Sequence, residues 1–293
     1  MVMVGLGLLA LSLLLLPLLG LVVRVPWSRL GPLLLQSSVR TALRLSLVTS
    51  LLAVALASLL GVPLAWLFAR TNFPGKSVVR ALALLPMVLP PVVGGVALLL
   101  AFGRRGVVGQ ALASITGWSL PFTTAAVVLA ETFVSMPFLV VSVESGLRML
   151  DLRLEDAALT LGASRWRVFR RVTVPLVAPS LAAGVALSWA RALGEFGATI
   201  TFAGNLPGRT QTVPLAVYLE LETHPDAAYL LSLVLLVISV VVLVALRGHF
   251  LPGSRIPSRP DSVSNLWVRP PMSSTDGEQL LEVDTGRTSA PSA

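Results

Sequence analysis

The sequence predicts an all-α polytopic membrane protein, a transmembrane helical bundle of about six spans, and three observations predict it. The chain of 293 residues is 55% hydrophobic with a mean hydropathy of +0.86, well outside the balance of a soluble domain. Its apolar residues are gathered into runs near twenty long, the length needed to cross about 30 Å of hydrocarbon as a helix. The alternating apolar and polar segments of a membrane barrel are missing, and in lipid a backbone that cannot reach water must bond to itself.

The first run, residues 2–23, has no basic residue ahead of it and is too long for the apolar core of a secretory signal. It reads as a retained span. Further spans are expected at 41–69, 79–102, 122–149, 176–197 and 228–247. The third carries Pro90, Pro91, Gly94 and Gly95 near its middle, where proline removes a helical hydrogen bond and glycine lets neighbours approach. The fourth carries Glu131 and Glu144, and the fifth carries Arg191 and Glu195 at i, i+4. After Phe250 the chain turns to Pro, Ser and mixed charge with little to bury. The expected organisation is a membrane domain over 1–249 followed by a disordered tail over 250–293. No paired broken helices of the inverted-repeat kind are evident.

The net charge is +8, nearly all from arginine, and Lys76 is the single lysine. Charge lying between apolar runs points to membrane topology and anionic lipid rather than nucleic acid. If the 150–175 loop is cytoplasmic, that side holds fourteen basic residues and the other holds seven. The first span disagrees, since its basic residues follow it, but the overall bias favours a cytoplasmic loop and tail. There is no cysteine, and His224 stands far from His249, which excludes a disulfide and argues against a metal cluster. Gly75-Lys76-Ser77 resembles the end of a phosphate loop, but Arg70 stands where that loop needs glycine. It reads as a turn.

The most polar helical segment is "DAALTLGASRWRVFRRVTVP", Asp156 to Pro175, with four arginines within seven residues. Leu154, Ala158 and Leu161 form a stripe on one helical face, with Glu155 and Asp156 near its start. Gly162 suits the left-handed end of that helix, and Ser164 suits the N-cap of a second. There Trp166, Phe169 and Val172 share one side and Arg167, Arg170 and Arg171 the other, until Pro175 closes the unit. Periodicity leaves two readings open. One is an interfacial amphipathic helix with its arginines on lipid; the other is a docking element for a soluble partner.

The order D-A-A, three residues, Gly162, nine residues, V-T-V-P resembles the EAA loop of ABC-importer permeases, with Asp156, Ala157, Ala158, Gly162, Val172, Val174 and Pro175 filling the family positions. Asp replaces the family's Glu, with Glu155 just before it, and Val replaces Ile and Leu. "LPMVLPPVVGGVALLLAFGRRGVVG", "ARALGEFGATITFAGNLPGRTQTVPLAVY" and "SVRTALRLSLVTSLLAVALASLLGVPLAWLFAR" extend the resemblance over about residues 36–247, to the molybdate permeases of that family. Sulfate/thiosulfate and tungstate permeases are the near alternatives.

The resemblance implies one half of a homodimeric pore in the bacterial inner membrane. It implies two copies of an ATP-binding subunit on the cytoplasmic side, an extracytoplasmic molybdate-binding protein on the other, and no cofactor bound by this chain. Glu155, Asp156, Ala157, Ala158, Gly162, Ala163, Arg165, Trp166, Phe169 and Pro175 would then couple to the ATPase. Pro90, Pro91, Gly94, Gly95, Arg191 and Glu195 would border the pathway, or else lock the packing. Arg104, Arg105 and Arg209 would face the binding protein, or else be ordinary surface charge. A secondary anion transporter would not need the Asp156–Pro175 loop, and an intramembrane enzyme would need a convergent catalytic set that the chain lacks.

Overall fold

The computed structural model describes residues 2–250. The expected 250–293 tail therefore lies outside the described residues, apart from Phe250 at the end of the last helix. Among those residues every regular element is helical. Five helices are long and apolar enough to cross a membrane, or six crossings if one sharply bent pair counts as a span.

The chain opens with α1, Val2–Arg24, whose most apolar stretch has no buried residue. It packs on the last helix, and Trp27 Nε1 donates to the Val22 carbonyl of α1 at 3.1 Å. A short 3-10 turn, Trp27–Arg29, and α2, Leu30–Leu35, lead into α3, Ser37–Arg70, a 34-residue helix. Then come α4, Lys76–Leu84, a 3-10 turn over Leu85–Met87, and α5, Pro91–Phe102. After α6, Gly109–Thr116, α7 runs from Thr124 to Met149 and α8 from Leu152 to Thr160. Next, α9, Arg165–Val168, passes through a π turn over Phe169–Thr173 into α10, Val174–Leu193. The last three are α11, Gly197–Phe202, α12, Val213–Thr223, and α13, Pro225–Phe250.

α7 is the axis of the bundle, with α3 and α10 packed along it. Of its most apolar stretch 61% is buried by protein, so it faces neighbours rather than lipid. At one end Ala126, Val127, Ala130 and Val134 pack with Leu98 of α5 and Ala198 and Phe202 of α11. At the other end Val143 and Leu147 pack with Ala65 and Phe68 of α3 and Val177 of α10. Between these ends α7 and α10 are joined by Ser142, whose hydroxyl donates to the Ser180 carbonyl at 2.8 Å.

The structure corrects two of the expected spans. Residues 79–102 are not one helix: α4 with its 3-10 turn and α5 meet at 114°. The cause is local, because a residue before proline is pushed out of the helical region and Pro90, which precedes Pro91, has φ −53° and ψ 131°. Pro91 then begins α5 at a position where its missing N–H costs nothing. The fifth expected span ends at Leu193 instead of 197, and α11 restarts the helix at Gly197. Thus the chain does contain two interrupted helices, and the short pieces after the breaks, α5 and α11, pack on each other. Sequence inspection missed α11 and α12 because neither is long enough to stand out from a loop.

That pairing is backbone-close. A Cβ added at Gly95 would sit 2.7 Å from Thr201 Cβ and 2.9 Å from the Ala198 carbonyl oxygen, and one at Gly197 would sit 2.7 Å from Pro91 Cβ. Gly95→Leu and Gly197→Val should each destabilise the protein by about 1–3 kcal/mol through overpacking. Gly5→Ala in α1, where nothing lies within 4 Å, should not. Thermal unfolding in detergent checks this, and equal melting of all three variants would contradict it.

Candidate functional site

The 150–175 segment folds as two short helices around a turn. Asp151 caps α8, its carboxylate accepting from the Arg153 amide at 3.0 Å. Gly162 ends the helix with φ +81°, a conformation that L side chains resist, and the Ala163 amide reaches back to the Ala158 carbonyl at 3.1 Å. Ser164 caps α9 through a long 3.4 Å bond from the Arg167 amide.

Pro175 does not close the unit. Residues 165–193 form one continuous helix, and the hydrogen bonding widens to a π turn just ahead of Pro175. A proline inside a helix lacks its N–H and crowds the carbonyl four residues earlier, and the wider turn relieves both.

The structure shows which side of each short helix meets the bundle, a point the spacing left open. Leu154 is 49% exposed and Leu161 89% exposed, so the leucine stripe of α8 does not face the bundle. Glu155 and Ala158 turn inward instead. In the second helix Val168 and Thr173 are buried, while Trp166 is 68% exposed and stacks on Phe169 with ring centroids 5.6 Å apart. Periodicity located an amphipathic helix but could not show which stripe would find a neighbour. Trp166, Phe169 and Arg165 instead line an open apolar cavity of about 540 Å³ with Val62, Pro63 and Trp66 of α3. The exposed surface of this loop is mixed: Leu152, Leu159, Leu161 and Trp166 stand beside exposed Arg153, Arg165, Arg167, Arg170 and Arg171, while Asp156 and Ala157 are also exposed.

Two carboxylates bind this end of the molecule together. Glu155 Oε1 accepts from Arg70 Nη2 at 2.8 Å and from Thr173 Oγ1 at 2.7 Å, joining α8 to the last residue of α3 and to the start of α10. Glu144 is 1% exposed and meets Arg80 Nε at 2.9 Å and Arg148 Nη2 at 2.7 Å. Arg148 also donates to the Phe68 carbonyl at 3.2 Å, near the C-terminus of α3, where positive charge suits the helix dipole. Sequence analysis placed Glu155 among the candidate site residues but not Arg70, Arg80, Arg148 or Thr173. Their partners lie as far as 85 residues away, and no local pattern links such pairs.

At the opposite end, Arg191 and Glu195 do meet, with Nη1 and Oε2 2.6 Å apart. Glu195 lies past the end of α10, is 1% exposed, and its Oε1 accepts from the Ala198 amide at 2.8 Å, holding the start of α11. Gly94 and Gly95 are buried in helix contacts, Gly94 against Phe133 of α7, whereas Pro90 and Pro91 are exposed at the break. These residues share one junction, because Pro91 touches Gly197, two residues beyond Glu195. Nearby, Glu131 Oε1 accepts from Thr49 at 3.0 Å, and Trp189 Nε1 donates to Ser50 at 3.0 Å, tying α3 to α7 and α10. Arg104, Arg105 and Arg209 are exposed on turns and make no ion pair among the described residues.

Comparison with known proteins gives the family. Residues 57–254 match the model for binding-protein-dependent transport system inner membrane components. The molybdenum transport system permease protein of Mycobacterium tuberculosis is 47% identical over 84% of this chain and 90% of its own length. That of Escherichia coli K12 is 44% identical over 69% of this chain and 90% of its own. A probable sulfate transport system permease of Chlorokybus atmophyticus is 37% identical over 69% of this chain and 71% of its own. A chain of a bacterial ABC transporter involved in alginate import has the same fold, with a TM-score of 0.63 at 17% identity, covering 83% of this chain and 91% of that one. With residues 57–254 matched and five or six helices long and apolar enough to cross a membrane, the chain belongs to the binding-protein-dependent transport system inner membrane components, as a multi-pass transport subunit.

Proposed function

We propose that this chain is the pore-forming permease subunit of an ATP-driven molybdate importer. The observation that carries the substrate is the graded similarity. Molybdenum permeases, one of them named provisionally, match at 43–47% identity, and the sulfate relative matches at 37%. Two copies of the chain form the pore, two ATP-binding subunits dock on the cytoplasmic side, and an extracytoplasmic molybdate-binding protein delivers the anion. Solved relatives with this fold include an alginate transporter in complex with its periplasmic protein, which supports a binding-protein partner. The 150–175 loop and the C-terminal tail then lie in the cytoplasm.

The geometry supports a division of labour between the two ends. The exposed surface of the α8–α9 turn, with Asp156, Ala157, Leu161 and Trp166 beside exposed arginines, is the docking surface for the ATPase, and hydrolysis belongs to that partner. The junction of α5, α11 and the Arg191–Glu195 pair borders the pathway, where a neutral pair leaves neither a lone cation to trap an oxyanion nor a lone carboxylate to repel it. Arg104, Arg105 and Arg209 add positive charge in the outer turns, which favours anion entry or an acidic face on the binding protein.

Leu161→Asp should cut recovery of the ATPase in co-purification by about 5- to 30-fold, the range for losing 1–2 kcal/mol at an interface. At 89% exposure it should leave folding intact, and full recovery would contradict docking there. The function itself is tested by ATP-dependent uptake into liposomes holding this chain with its ATPase and binding protein. Molybdate uptake that tungstate blocks and sulfate does not is the expected result. Sulfate uptake would overturn the substrate, and transport indifferent to ATP would overturn the importer.

A further inference from the structure

We infer that Glu155 is a positioning residue that fastens the coupling loop to α3 and α10, so that a push on α8 moves both helices together. The inference rests on the importer reading of the 150–175 loop and gives Glu155 a role apart from its neighbours. Asp156 and Ala157 point outward, but Glu155 points into the protein, with its side chain 20% exposed and that of Arg70 15% exposed. One oxygen, Oε1, receives both Arg70 Nη2 and Thr173 Oγ1. The carboxylate therefore joins three elements that chain connectivity leaves separate: α8, the C-terminus of α3, and the turn that opens into α10.

α8 itself has no buried residue, so apolar contact alone holds it weakly. A charge-assisted bond at a partly sheltered site is stronger than an exposed surface pair and has a defined direction. The receiving elements are stiffened in turn. Arg148 holds the Phe68 carbonyl, and Lys76 Nζ donates to the Thr71 carbonyl at 2.6 Å, so the end of α3 has further bonds of its own. Thr173 is buried and lies in the π turn, a place where helix hydrogen bonding has a choice of register. Displacing α8 thus acts on the root of α10, whose far end carries Arg191 and leads to Glu195.

The test uses the reconstituted complex of this chain with its ATPase and binding protein, measuring molybdate imported per ATP hydrolysed. Glu155→Gln, Glu155→Arg and Arg70→Glu should each lower that ratio on the order of tenfold, the size of an ordinary coupling free energy. The ATPase should still co-purify with each of them. The exchange Glu155→Arg with Arg70→Glu should recover most of the ratio, a rescue that a general loss of folding would not show. Wild-type coupling in Glu155→Gln would overturn the inference. So would a charge exchange no better than its single variants, or loss of the bound ATPase, which would make Glu155 a docking contact. Failure of the importer reading is distinct, since the unmodified complex would then show no ATP-dependent uptake.

Discussion

A polar group removed from water must find its partner inside the protein, and that constraint organises this molecule. It dictates helices across the apolar runs, since only a helix bonds its own backbone along a single segment. It also governs the two places where helices stop. After the breaks at Pro90 and Gly194, α5 and α11 are too short to shield themselves and lie against each other and against α7. Gly95 and Gly197 permit this, because any Cβ there would meet the opposing chain.

The same constraint explains the buried acids. A carboxylate in a membrane protein is costly unless paired, and here most of them bridge elements. Glu144 ties α7 to α4 through Arg80, Glu155 ties α8 to α3 and α10, and Glu195 meets Arg191 while capping α11. Glu131 joins α7 to α3 through Thr49. Such bonds contribute less to net stability than to arrangement, because desolvation cancels much of their attraction. Their value is directional. They define which helix ends move with which, which is what an alternating pathway needs from a bundle otherwise held by non-directional apolar contact.

The two ends of the bundle differ accordingly. Around α8 and α9 the surface mixes exposed apolar side chains with exposed arginines, backed by ion pairs that join the long helices. Around α5 and α11 the backbone is broken and closely packed, with one charged pair at the junction. α7 and α10 span the distance between them, so displacement at one end has a rigid route to the other.

Much of this was legible in the sequence for a physical reason: solvent and local stereochemistry leave few choices. Span length follows from hydrocarbon thickness, the left-handed turn from Gly162, and the second helix start from the Ser164 hydroxyl. The EAA-like spacing marked the loop as well. What tertiary structure alone decided was direction and partnership. The doublet Pro90–Pro91 produces the 114° bend locally, but that α5 then lies against α11 left no sign in the sequence. Amphipathic spacing revealed that α8 and α9 have faces, yet Glu155, Ala158, Val168 and Thr173 turn inward because α3 and α10 stand there. A partner 85 residues away leaves no mark on a local pattern, so the sequence by itself determined the helices and the turn between them, and only the fold could choose Arg70 for Glu155.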